Sequence, residues 1–363
     1  MNDDLLFLAG KSALKRIREN GLGPEDVTIV AGAAGAAKWL GIAELDKVIF
    51  SEWLKGRTRT LYLYGTSIGS WKLAAAAQSD PATSLDALAD SYIHQRYHGR
   101  IIPEKVMAEC RKILDLCFPA TRVREILSHP VMRFSLSTVR CRGAAGSDTV
   151  PVQFLGLAFA YLLNRVSRGL LAIPFERAFF HDPRETPAFF LKSEFPTQRV
   201  PLHEGNFHHA LLATGSIPLV MHGVRGIPGA FPGVYRDGGI LDYHPASFSP
   251  QGEGIVLYPH FSARIIPGWF DKSLPKRSPD PEHLQNMLVL APSPGFISRL
   301  PNGRIPDRSD FKTFYGRDDE RIAFWKEAAS RGKRLADAFM EGVLSGSIRT
   351  KVGSLEACQG IRA

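Results

Sequence analysis

The chain has 363 residues, 44% of them hydrophobic and 22% charged, a composition that excludes a disordered or fibrous protein and leaves room for one large domain or two modest ones. Lys and Arg number 45 against 36 Asp and Glu, a formal charge of +9; the cations are spread along the chain and form no arm or recognition motif, so no nucleic-acid partner is expected. The surplus reads instead as a solvated basic face, or as one able to touch anionic lipid headgroups.

No stretch approaches the roughly 18 apolar residues of a membrane span. The start, with Asn2, Asp3 and Asp4 ahead of a short apolar run, lacks the basic region of a signal peptide. Cys110, Cys117, Cys141 and Cys358 make no C-x-x-C pair, which points to reduced thiols, no structural zinc and a cytoplasmic protein, peripheral to membranes at most.

In chain order, residues 5 to 20 are predicted as one helix ending at Asn20-Gly21, a good C-cap pair, so that residues 1–24 form a helical extension. Val27-Thr28-Ile29-Val30 is a strand that runs into Ala31-Gly32-Ala33-Ala34-Gly35-Ala36-Ala37-Lys38. Such small side chains let a ligand reach the backbone. The loop lacks the Gly-Lys-Ser/Thr of a phosphate loop and the G-x-G-x-x-G of a dinucleotide site. An oxyanion hole built from the amides of Gly32, Ala33, Ala34 and Gly35 remains, beside the plainer reading of a helix packed closely on a sheet.

Leu61-Tyr62-Leu63-Tyr64 is a second strand, and Trp71 to Ala77 is a strong helix former. Between them, Gly65 and Gly69 flank Ser67, the spacing of a strained strand-to-helix elbow that presents a serine hydroxyl. A helix from Ser84 to about 98 and another from Pro103 to about 118 follow. Cys110 and Cys117 share a face of the second and read as core thiols. Residues 131–141 alternate as a strand, 152–166 read as a mostly buried helix, 175–180 as a strand, and the proline-rich 183–201 as loop, lid or rim.

A helix over 207–213 leads to Ala213-Thr214-Gly215-Ser216-Ile217-Pro218 and then to Arg236-Asp237-Gly238-Gly239, where a short strand ends in a carboxylate on a turn open to close backbone approach. Residues 255–258 and 287–290 are further strands. One amphipathic helix is expected from 318 to about 344, and the last dozen residues are expected to fray.

The order of small-residue loop, G-x-S-x-G elbow, Ala-Thr-x-x-x-Pro segment and Asp-Gly-Gly resembles the patatin-like phospholipase family over about residues 25–80 and 205–245. That resemblance implies an α/β fold: a three-layer α/β/α sandwich with a central, mostly parallel sheet over residues 25–300, a helical insertion at about 84–130 and a C-terminal helical region over 301–363. It also implies a lipid acyl hydrolase, of phospholipase A or lysophospholipase type, with Ser67 as nucleophile, Asp237 as base, Gly32, Ala33 and Ala34 as oxyanion loop, and no cofactor or metal. The loop departs from the family pattern in having alanines for glycines and Lys38 displaced.

Two other readings of the same residues stand beside it. An α/β-hydrolase type esterase or thioesterase would complete a triad with His244 or His260. A non-catalytic binding protein would retain the fold alone. His203-Glu204 and His208-His209 have the spacing H-E-x-x-x-H rather than the zinc motif H-E-x-x-H and read as ordinary polar residues. Residues 265–270 with Lys272 read as half-buried packing or as a membrane-touching loop, and Asp242 as a locally paired carboxylate.

Overall fold

The computed structural model describes residues 4–185, 194–247 and 254–359. Its strands are β1 (Leu5–Ala9), β2 (Val27–Gly32), β3 (Leu61–Thr66), β4 (Met132–Cys141), β5 (Phe175–His181), β6 (Thr197–Pro201), β7 (Val234–Arg236), β8 (Ile255–Pro259), β9 (Met287–Pro292) and β10 (Gly353–Ser354). They form one sheet in the order β10-β1-β9-β8-β2-β3-β4-β5-β6, with β7 paired to β4. The central run from β9 through β8, β2 and β3 to β4 is parallel; β1 against β9 and β5 against β4 are antiparallel. The chain is thus α/β with a large, mostly parallel mixed sheet.

Period-two side-chain alternation explains how both faces of this sheet come to be buried. On β8, Ile255 and Leu257 join one core while Val256 and Tyr258 join the other, and on β9 Leu288 and Leu290 divide likewise from Met287, Val289 and Ala291; on β2 a register shift between Val27 and Ile29 brings Val27 to the side of Val30, opposite Ile29 and Ala31. The first core is covered by the long helices, among them Lys11–Asn20, Ile68–Ala76, Pro103–Cys117 and Glu204–Thr214. The second is covered by Phe261, Ile265, Leu284 and Leu355. Layers on both faces of a central sheet are compatible with a three-layer sandwich. No helix among the described residues is long and apolar enough to cross a membrane.

Several elements depart from the sequence expectations. Residues 5–9 are strand, and only Lys11–Asn20 is helical, because Leu5 to Ala9 find backbone partners on β9, far away in sequence. The helix expected from Ser84 starts at Pro81, capped by Asp80, whose side chain accepts from Thr83 N–H, and ends at Ile93. Residues 318–344 form two helices, Asp318–Arg331 and Lys333–Leu344, joined at Gly332. Of the stretch read as loop, Thr197–Pro201 is the edge strand β6, where a proline is tolerated, and 186–193 lie outside the described residues. Gly353–Ser354 pairs with β1 rather than fraying.

The helix over Val150–Val166 is present, but it is not mostly buried. Its inward side carries Gln153, Gly156, Leu157, Ala160 and Asn164, while its large apolar side chains face outward.

Candidate active site

The elbow forms because three glycines allow three backbones to converge. A Cβ on Gly69 would stand 2.3 Å from the carbonyl carbon and oxygen of Gly32, and one on Gly65 would stand 2.7 Å from the carbonyl carbon of Gly69; any side chain there would push strand and helix apart. Ser67, between β3 and the Ile68–Ala76 helix, has φ +52°, a left-handed conformation that costs a serine of order 1–3 kcal/mol and is held only by its surroundings. Those surroundings are specific. The Ser67 N–H donates to Thr214 Oγ1 (2.9 Å), which in turn donates to the Ser137 carbonyl (2.6 Å), and Thr66 Oγ1 donates to the Asp242 carbonyl (2.8 Å).

Asp237 directly follows β7 and is joined to Ser67 across 170 residues of sequence: the Ser67 hydroxyl donates to its Oδ2 at 2.8 Å. The second carboxylate oxygen accepts from Gly239 N–H at 2.7 Å, and the Asp237 N–H donates to the Ser216 carbonyl at 3.1 Å. Burial pushes the Asp237 carboxyl up to about 6 from its ordinary 3.8, against the lowering pull of the Gly239 and Ser67 hydrogen bonds. Gly238 is required here, since a Cβ would lie 2.1 Å from the Ser137 carbonyl oxygen.

The small-residue loop divides its labour in a way its sequence does not show. Gly32 belongs to β2 and serves the contact with Gly69. Ala33 packs into the second core. The Ala34 amide, expected among the oxyanion donors, donates to the Tyr243 carbonyl at 2.9 Å and is therefore committed to structure. Ala34, Gly35 and Ala36 line the cavity at Ser67 and Asp237. Gly35 and Ala36, with the first turn of the Ile68–Ala76 helix, border the cavity at Ser67 and can offer amides to a developing negative charge.

Two cavities meet at Ser67. One, of about 150 Å³, is polar and includes Lys38, Lys272 and Arg308. Lys38 pairs with Asp307, and the Lys272 ammonium lies 3.6 Å over the Tyr243 ring. Burial of that amine, and then Lys38, push Lys272 below the usual lysine range. Arg308 Nη1 is buried with no hydrogen-bond partner among the described residues. The other cavity, of about 440 Å³, is lined by apolar groups including Trp71, Tyr92, Val106, Ile113 and Met221.

The histidines of the triad reading lie elsewhere. His244 Nδ1 accepts from Ile266 N–H and His260 Nδ1 from Ser262 N–H, each at 2.9 Å. Their rings meet edge to face at 4.2 Å, and burial holds both well below the usual histidine range. His203 caps the Glu204–Thr214 helix, and His208 Nε2 is 2.6 Å from the Phe118 carbonyl, so the two serve separate local contacts. Asp242 accepts two hydrogen bonds from Arg177, at 2.7 and 2.6 Å, a paired carboxylate as expected though not a local pair. Ile265 and Phe270 are buried and Trp269 borders the polar cavity, which favours packing over a projecting loop.

Sequence reading missed Thr214 as the acceptor beneath the elbow, although it sits in the segment already singled out. It also missed Arg308, which lies in an irregular stretch with no motif to mark it. No protein-family model matches the chain, and no curated protein matches it.

Proposed function

We propose that the protein is a serine acyl-ester hydrolase acting on lipid-like esters through a Ser67–Asp237 dyad. The observation that carries the reading is the 2.8 Å hydrogen bond from the Ser67 hydroxyl to Asp237 Oδ2 at a strained elbow. A carboxyl raised to about 6 is still ionised at pH 7 and is a better base than an ordinary aspartate.

In acylation, Asp237 takes the hydroxyl proton as Ser67 Oγ bonds to the ester carbonyl carbon. The carbonyl electron pair moves onto oxygen, which is stabilised by the Gly35 and Ala36 amides and the helix N-terminus. Collapse of this intermediate breaks the bond to the leaving alcohol, which takes the proton from Asp237. In deacylation Asp237 draws a proton from water, the water oxygen attacks the acyl-serine, and the proton returns to Ser67 as the acid departs.

The apolar cavity suits an acyl chain, and the lysines and arginine of the polar cavity suit an anionic group on the alcohol side. The resemblance to patatin-like phospholipases supports the same chemistry, and with it a patatin-like fold. Against the triad reading stands the engagement of His244 and His260 away from Ser67.

The test is hydrolysis of chromogenic acyl esters and of lysophospholipid by wild type, Ser67→Ala and Asp237→Asn. Removing the base is expected to cost about 10² to 10⁴-fold in kcat/KM, and removing the nucleophile at least as much. Equal activity in wild type and both variants would refute the reading, and absence of hydrolysis across the panel would favour a binding protein that retains the fold.

A further inference from the structure

The Val150–Val166 helix is built inside out. Its buried side holds two amides and small residues, Gln153, Gly156, Ala160 and Asn164, and a Cβ on Gly156 would lie 2.3 Å from the Ala145 nitrogen, so the helix is pressed down on its inner side by design of sequence. Its outer side presents Val152, Phe154, Leu155, Phe159, Leu162 and Val166, between 42% and 79% exposed. Val152, Leu155, Phe159, Leu162 and Val166 recur at intervals of three and four, a continuous stripe. A contiguous apolar patch of this kind marks an interaction surface.

The helix is also tied to both walls of the site. Gln153 Oε1 accepts from Leu219 N–H at 2.7 Å, and Leu219, itself exposed, borders the apolar cavity. Asn164 Nδ2 donates to Asp271 at 2.7 Å, within the turn that carries Trp269 and Lys272 to the polar cavity. The helix that carries the apolar stripe is therefore fixed, through its inner side, to both walls of the cavities that meet at Ser67.

The exposed charges on the helix and on the segment beside it are cationic, Arg165, Lys272 and Lys276, while Asp271 beneath is buried and paired with Arg168. Between Asp148 and Glu176 the chain has no acidic residue. The segment over 272–277, with Lys272, Lys276 and Arg277, runs beside the helix: the Arg277 guanidinium donates to the Asn164 carbonyl at 2.9 Å, and the Ser273 hydroxyl lies 3.4 Å from the Tyr161 hydroxyl. Arg165 is exposed on the helix itself.

We infer that the outer face of the Val150–Val166 helix lies in the surface of an anionic lipid bilayer, with Leu155, Phe159 and Leu162 among the acyl chains and Arg165 and Lys276 at the headgroups, so that the cavities at Ser67 open toward lipid. An apolar face with cations at its margin is the arrangement that binds such surfaces by burial and charge together. The inference extends the acyl-hydrolase reading to the place where substrate is met, but the binding itself needs no turnover.

The experiment is co-sedimentation of the Ser67→Ala protein with phosphatidylcholine vesicles, with and without about a third phosphatidylserine. Strong binding is expected only with the anionic lipid. Leu155→Ser/Phe159→Ser/Leu162→Ser is expected to lose at least tenfold in partitioning while keeping the wild-type melting temperature. Arg165→Glu/Lys276→Glu, at exposed positions, is expected to lose a similar amount that wild type also loses in high salt. In the Ser67-containing protein neither set should alter hydrolysis of a soluble short-chain ester. Undiminished binding by both variant sets would overturn the inference. So would a wild-type dimer that the apolar variant converts to monomer, since the face would then belong to a second copy. Vesicle binding without any ester hydrolysis would sink the catalytic reading and leave this one standing; hydrolysis without binding would do the reverse.

Discussion

Replacing Asp237 by asparagine should lower activity by about 10² to 10⁴-fold and, at neutral pH, make the protein more stable. Asparagine has the same shape: its oxygen can accept from Gly239 N–H, and its amide can donate to Ser67, so the two native contacts of the carboxylate have counterparts. What the substitution removes is the charge. Asp237 is 7% exposed, and its carboxyl rises from an ordinary 3.8 to about 6, chiefly through burial. At ~1.4 kcal/mol for each pH unit of separation, keeping it ionised in the fold costs about 3 kcal/mol. The sign follows from the raised folded value: the contribution of the protonated carboxyl is fully present below about pH 3.8 and is lost as pH rises through about 6. The stability difference between Asp237→Asn and wild type should therefore be smallest near pH 4 and grow by up to about 3 kcal/mol by pH 8, where it levels off. Urea unfolding of both proteins at intervals across this range measures it. A difference that stays flat with pH, or that favours wild type increasingly as pH rises, would refute the reasoning about the buried carboxylate.

Further expectations follow from the same geometry. With Asp237 as base, kcat/KM for a soluble ester should rise about tenfold per pH unit below about 6 and level off above it; a stopped assay across pH 4.5 to 8 would show this, and a midpoint near an unperturbed carboxyl would speak against it. Gly69→Ala places a methyl 2.3 Å from the Gly32 backbone and should cost about 1–3 kcal/mol or more together with the activity. Gly295→Ala, whose Cβ would meet nothing nearer than 3.5 Å, should be nearly silent in the same melting experiment. Val106→Trp would fill part of the apolar cavity. If it excludes about four methylenes at ~0.8 kcal/mol each, kcat/KM for a long-chain ester should fall roughly a hundredfold. A butyrate ester should be untouched, and equal loss on both would place the acyl chain elsewhere.

What could be read from the sequence was what neighbouring residues determine together. The strand, elbow and helix around Ser67 were legible because Leu61 to Ala77 carry a strand pattern, two glycines and a helix former in one stretch, and Asp237 was legible through its two following glycines. Their meeting across the fold was suggested only by resemblance, and the structure brings them to 2.8 Å. Failures came where distant partners decide. Leu5 to Ala9 could serve helix or strand alone; pairing with β9, at the other end of the sequence, settles it. The apolar content of the Val150–Val166 helix predicts burial, whereas its glycine, alanine and amides mark the side that packs. The loop sequence predicts the Ala34 amide as an oxyanion donor because nothing in it reveals the Tyr243 carbonyl that accepts that amide.

The central claim is that Ser67 is a nucleophile made reactive by Asp237, and covalent capture tests it most directly. Wild-type protein treated with a fluorophosphonate probe near pH 8 should gain one probe mass, mapped to the peptide containing Ser67, while Ser67→Ala gains none and Asp237→Asn labels at least a hundredfold more slowly. Wild-type protein that remains unlabelled, or that labels equally well without Asp237, would contradict the account.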